Sequence, residues 1–295
     1  MKTTSAVALL MLLASPPCFA EQASSNKPPS AGVSVVTQSG TAAAQGQAQA
    51  QPEESRWRLG IGLGYGLRSN PLVQSDDIPI FVDIDIAWFG ERLFFDNGDF
   101  GLTLVDNEFV TASVVGRANS DRVFFGKTDT RFVTVDLAGQ PLSQAAELTI
   151  PDRDYAVELG LELLADGRWG QLQLTAFHDV SGTHDGYEIH FDYGYGWRNQ
   201  RWYIEPSFGL SYKSEDLNNY YWGVRPDESS DALPGYQAGS GVNAHARLAL
   251  RYQINRRWAF ALVGEFENLN DEAAASPIVA DRDVLGYFAG FGYRF

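Results

Sequence analysis

The stretch "WRLGIGLGYGL", Trp57–Leu67, sets a glycine at every second position: Gly60, Gly62, Gly64 and Gly66. A dinucleotide-binding loop needs its third glycine three residues after the second. Counted from Gly60 and Gly62 that position holds Tyr65, and counted from Gly64 and Gly66 it holds Ser69. No lysine stands where a P-loop requires one. What remains is alternation: Trp57, Leu59, Ile61, Leu63, Tyr65 and Leu67 share one face, and Arg58 and the glycines share the other. A strand has a period of two residues, so the stretch reads as a β-strand with one apolar face.

The same period recurs along the chain. Ile78, Ile80, Val82, Ile84, Ile86 and Trp88 oppose Asp83 and Asp85, and Tyr155, Val157, Leu159, Leu161 and Leu163 oppose Glu158 and Glu162. Further alternating runs cover 169–180, 187–197, 202–212, 242–254, 257–268 and 285–295. At about 10 to 13 residues these are nearly twice the usual globular strand and match tilted membrane-spanning strands. Trp57, Trp88, Trp169, Trp197, Trp202, Tyr252, Trp258 and Tyr293 gather at strand ends, where interfacial girdles belong. Tight connections at Asp166-Gly167, Asn199-Gln200 and Asn255-Arg256 contrast with long ones at 68–77, 181–186, 213–240 and 269–283.

Short turns on one side and long loops on the other predict an all-β, closed antiparallel transmembrane barrel of the outer-membrane type. In hydrocarbon only closure satisfies every backbone group. Nine strands are evident, and both termini on one side demand an even total. The region 91–138 therefore supplies three strands, for twelve, or one, for ten; fourteen would need a further hairpin. Its candidates are "RLFF", "FGLTLV", "EFVTASVVG" and "TRFVTVDL". Closure should set the first-strand glycines beside Gly286, Gly290 and Gly292, a bare seam with room for water, a loop or a linker.

Outside the barrel, residues 1–20 read as a secretory signal: Lys2, the apolar run Ala6–Ala14, then small residues around Cys18-Phe19-Ala20. Cleavage after Ala20 removes the one cysteine. Residues 21–55, rich in Ala, Gln, Ser and Pro, read as a linker unable to bury a core. The barrel then occupies 56–295. A net charge of -15, from 37 acidic and 22 basic residues, disfavours nucleic acid as a partner.

The polar face offers a candidate lumen charge network: Arg58, Arg247, Arg251 and Arg294 answer Glu205 and Glu265 among other carboxylates. Charge pairing accounts for such an interior; a pore that filters ions by sign is the alternative. "FHDVSGTHDG" places Ser181 and His184 near Asp179 and Asp185, thin material for a hydrolytic triad or a metal site. No catalytic, metal or cofactor residue is expected. The outer-loop carboxylates Glu215, Asp216, Asp227, Glu228 and Asp231 read as solvated surface, with divalent bridging to lipopolysaccharide as the alternative.

Two segments carry a resemblance: "NNYYWGVRPDES…LPGYQAGSG", Asn218–Gly241, and "SPIVADRD", Ser276–Asp283. Tyr220, Tyr221, Gly223, Val224, Tyr236, Ser276 and Pro277, with the closing Tyr293-Arg294-Phe295, resemble the motifs of the MipA/OmpV family of outer-membrane proteins. "HDVSGTHDGYE" is similar to its mid-chain stretch. The likeness covers roughly 57–295. Trp222 interrupts the Tyr-Tyr-Gly-Val core, and Ala275 stands where an aspartate is common. The resemblance implies a non-enzymatic scaffold in the outer membrane, amid lipid and lipopolysaccharide. It would hold a murein lytic transglycosylase near a bifunctional penicillin-binding protein. A porin-like channel for small solutes is the other role it implies.

Overall fold

In the computed structural model, which describes residues 56–125 and 150–295, the alternating runs become paired strands. They are β1 (Trp57–Arg68), β2 (Ile78–Phe89), β3 (Leu93–Asp96), β4 (Asp99–Asp106), β5 (Val110–Ala118), β6 (Val157–Gly167) and β7 (Gly170–Asp179). The series continues with β8 (Tyr187–Gly194), β9 (Trp197–Asn199), β10 (Trp202–Lys213), β11 (Gly241–Gln253), β12 (Trp258–Asn268) and β13 (Asp283–Arg294). Both β8 and β9 pair with β10, so they are one strand interrupted at Tyr195-Gly196. Each strand pairs antiparallel with its neighbours, and β13 pairs with β1, closing a barrel of twelve. The region 91–125 contributes β3, β4 and β5, the first three of its four candidate segments. The fourth, "TRFVTVDL", lies outside the described residues, as do the signal and linker segments.

The hairpin β3–β4 is short because Asn97 and Gly98 turn it with φ of 49° and 114°. Positive φ at both central positions is the tight-hairpin geometry that Asn-Gly sequences favour.

Apolar side chains point outward: Leu63 is 59% exposed and Leu161 61%. Paired rings edge this band. Trp57–Trp88, Trp202–Tyr252 and Trp258–Tyr293 lie at the end carrying the tight turns, with centroids 6.5, 4.8 and 5.1 Å apart. Tyr65–Phe81 and Tyr187–Tyr212, both 5.9 Å apart, edge the long-loop end. Eight residues of tilted strand, from Trp57 to Tyr65, put the girdles roughly 20 Å apart, about the height of a hydrocarbon band.

The closure seam corrects the sequence expectation. Gly62 faces Gly292 and Gly64 faces Gly290 in register, but the space they leave is occupied. The Phe288 ring, 2% exposed, folds inward over it. A Cβ on Gly290 would meet Leu63 O at 2.7 Å, Phe288 Cζ at 2.8 Å and Gly64 Cα at 2.9 Å. The glycines admit a ring and a close approach of two backbones.

The apolar core lies in the long loops. Two short helices, α1 (Glu215–Trp222) and α2 (Asp271–Ala274), stand in the β10–β11 and β12–β13 connections. Leu217, Tyr221 and Trp222 of α1 are fully buried and pack with Phe124, Phe125, Leu72 and Ile278. These residues come from connections spread around the barrel, so the loops converge into a cap across its outer mouth.

Candidate functional site: a charged lumen beneath an apolar cap

The cap is pinned where each element begins. Ser214 caps α1, and its hydroxyl also accepts from Tyr187 N at 2.9 Å. Asn270 caps α2, its side chain accepting from Ala273 N at 2.9 Å, while Asn243 of β11 accepts from Asn270 N at 2.9 Å and Nδ2 at 2.7 Å. Such caps satisfy the orphan amides of a helix start.

The family-motif positions from Tyr220 to Pro277 fall in this cap, whereas the closing Tyr293-Arg294-Phe295 ends β13 at the opposite rim. The Tyr220 hydroxyl accepts from Asp154 N at 2.9 Å. Tyr221 is buried against Phe125. Gly223 has its Cβ position filled by the Asn219 side-chain oxygen, 2.5 Å away, so a side chain there would displace the helix end. Val224 bridges to Tyr236, whose hydroxyl donates to Glu272 O at 2.7 Å. Ser276 Oγ donates to Trp222 O at 2.5 Å, and Pro277 leads into the buried Ile278. These residues build the cap; none converges on a reacting group.

Arg153, 1% exposed, locks the cap from the β5–β6 connection. Its Nη1 and Nη2 grip Glu228 at 2.6 and 3.1 Å, and Nη2 also donates to Gly223 O at 2.9 Å. Burial disfavours the charged Glu228, but the Arg153 hydrogen bonds, the Arg225 amide and both arginine charges outweigh it and hold its carboxyl below the usual range. The solvated-surface reading of Glu228 is therefore corrected, whereas Glu215, Asp216, Asp227 and Asp231 are exposed. Burial, then the charges of Asp121 and Glu158, pushes the Tyr221 hydroxyl far above its ordinary value, so it stays neutral.

Beneath the cap the lumen is charged. Arg117 Nε donates to Glu158 Oε2 at 3.1 Å, its Nη2 reaches Glu188, and its guanidinium lies 3.7 Å over the Phe177 ring. Asn119 donates to Glu158 Oε1 at 2.7 Å. Lys213 Nζ sits 2.6 Å from both Asp121 oxygens, His245 Nε2 is 2.6 Å from Asp192, and Arg68 is 3.4 Å from Glu267. Such pairs are buried or half-buried, so removing one partner strands a charge.

Arg247 Nε donates to Glu265 Oε1 at 3.0 Å. Arg58 reaches Asp85 at 3.1 Å and Asp96 at 3.0 Å. Glu205 accepts from Tyr203, and Arg251 lies 5.7 Å over the same Tyr203 ring. Arg294, on the last strand, is opposite Gly60. Sequence reasoning missed Arg117, Asp121, Arg153 and Lys213. Arg117 was legible: extending the β5 alternation Ser113, Val115 by one step reaches it.

The Ser181–His184 stretch is occupied structurally. Ser181 Oγ donates to Asp179 Oδ1 at 2.6 Å, whereas His184 accepts from Gly186 N at 3.0 Å and its Nε2 lies 3.4 Å from Glu158. The serine and histidine thus serve different partners. Asp179 is filled by the amides of Ser181, His184 and Asp185, closing the metal alternative. Among the described residues no cluster of His, Cys, Asp and Glu could hold a metal, and no helix is long and apolar enough to cross a membrane.

The family model described as "MltA-interacting protein MipA" matches residues 61–295. The chain belongs to the MipA family. Among curated relatives, OmpV of Vibrio cholerae is 32% identical over 48% of this chain and 56% of its own length. Omp26La of Vibrio anguillarum is 29% identical over the same shares. The MltA-interacting protein of Escherichia coli is 26% identical over 50% of this chain and 59% of its own. The chain thus spans little more than half the length of these relatives. Among solved structures, the COG4313 outer-membrane channel of Pseudomonas putida F1 aligns over 86% of this chain and all of its own, at 8% identity and a TM-score of 0.39. The chain is an outer-membrane β-barrel of the MipA family.

Proposed function

We propose that this barrel is a non-enzymatic scaffold of the outer membrane. It would hold a murein lytic transglycosylase, and beside it a bifunctional penicillin-binding protein, at its periplasmic face. The observation that carries the reading is the cap: Leu217, Tyr221 and Trp222, fully buried across the outer mouth, suit a fixed platform better than a freely conducting pore. Kinship with a protein named for interaction with MltA supports the same partner class. Residues 1–20 would be the export signal and 21–55 a periplasmic tether; the apolar band would meet lipid, and the exposed acidic loops lipopolysaccharide. Extraction at native abundance in mild detergent should co-purify a lytic transglycosylase. Repeated extracts of folded barrel free of any murein enzyme would overturn the reading.

A channel for small solutes is the second reading, favoured by a lumen cavity of about 260 Å³ with charged walls. Planar-bilayer recording separates the two. Steady conductance by the folded wild type favours the channel, and a sealed bilayer the scaffold.

A further inference from the structure

The cavity beneath the cap has more negative than positive groups in its wall. Seven carboxylates line it against four arginine and lysine side chains. All four cations are committed: Arg68 to Glu267, Arg117 to Glu158 and Glu188, Lys213 to Asp121, and Arg247 to Glu265. Asp192 is taken by His245. Among the described residues, Asp99 and Glu162 have no cation within ion-pair distance.

These two lie on one side of the lumen. Asp99 is the register partner of the buried Asp96, so both point inward, and the charges of Asp99 and Asp96 act on Glu162. Glu162 has one neutral donor, Gln173 Nε2, at 2.6 Å. That bond turns the other end of the amide free: Gln173 is 6% exposed, lines the cavity, and its Oε1 has no partner. A buried acceptor with no donor is destabilising, so a ligand bearing N–H groups would be favoured here.

We propose that the lumen cavity is a binding site for the ammonium group of a small amine, held by Asp99, Glu162 and the free Gln173 carbonyl. An ammonium supplies three donors and a positive charge, matching two carboxylates and one neutral acceptor. The cavity volume accommodates a short aliphatic amine around that head. The inference is independent of the scaffold reading, since neither a murein enzyme nor conductance is needed for it to hold.

Calorimetry on the full-length folded barrel, with putrescine as the probe and butanediol as its neutral counterpart, tests it. Putrescine should bind and butanediol should not. Glu162→Gln should weaken putrescine by about tenfold or more, as loss of a charged hydrogen-bond partner does. Asp99→Asn should act in the same direction, and Asp227→Asn on the exposed cap should leave binding unchanged. Each variant's fold is checked by its heat-dependent gel mobility. Equal binding of diol and diamine, full displacement of putrescine by equimolar potassium, or wild-type affinity in a folded Glu162→Gln barrel would each overturn the assignment.

Discussion

The barrel wall and the loop cap bury opposite kinds of side chain. On the wall, Leu63 and Leu161 face outward while Glu158 and Glu188, at 0% and 2% exposure, face in. The cap does the reverse: Leu217, Tyr221 and Trp222 are inside, and Glu215, Asp216 and Asp227 are outside. One chain thus folds against two solvents. Hydrocarbon accepts the outward leucines of the wall, whereas the loops stand in water and must form their own core. The cap's hydrophobic effect is that of a small soluble domain, on a scaffold whose strands gain their order from closed hydrogen bonding.

The contrast breaks first at Trp222. Trp222→Ala should cost the cap about 3–5 kcal/mol, since the ring is fully buried among Phe124 and Phe125. Limited proteolysis should show cuts in 214–240 while the barrel keeps its heat-dependent gel shift; loss of both together would show cap and wall to be one cooperative unit. Next comes Arg153→Ala, which leaves Glu228 without its bidentate partner. About 3 kcal/mol of cap stability should be lost, read by the same proteolysis.

The wall answers to a different change. Leu161→Arg, at the middle of β6 and facing out, should destabilise folding into bilayers by about 2–4 kcal/mol, measured by reversible unfolding from liposomes. The same charge at Asp227, on the cap, should be neutral. At the seam, Gly290→Ala should cost about 1–3 kcal/mol because Leu63 O and the Phe288 ring stand under 3 Å from the added methyl. Gly286→Ala, whose nearest neighbour is the Glu265 side chain at 3.5 Å, should be tolerated.

The smallest effect is a pH dependence confined to the cap. The Glu228 carboxyl is held below its ordinary value of 4.5, so the Arg153 clamp stabilises the cap above that pH. The contribution should be lost as pH falls through the lowered value. Protease protection of 223–238 should be flat from neutral pH to about 4.5 and decline below it, and Glu228→Gln should remove the decline.

The alternation at Trp57–Leu67 already contained the strand, its outward face and, through the parity of ends, the even count of the barrel. Those features are local: a two-residue period and a turn chemistry such as Asn97-Gly98 act within a few residues. Even the three strands of the ambiguous region follow from short alternating runs. What the period could not carry was the filling of the seam. Gly290 leaves a space, but that Phe288 occupies it depends on how closely β1 and β13 approach.

The sequence by itself determined the wall, because each strand's faces are written in neighbouring residues and closure follows from the need to pair every backbone group in hydrocarbon. Tertiary structure alone decided the cap and the long-range lumen pairs, whereas Arg247 and Glu265, register partners on adjacent strands, were already in the network read from the sequence. Lys213 meets Asp121 across 92 positions, and Arg153 meets Glu228 across 75. Loops carry no period, so their partners are chosen by geometry at the barrel mouth. There, burying Trp222 and pairing each stranded charge outweigh any preference written in the loops themselves.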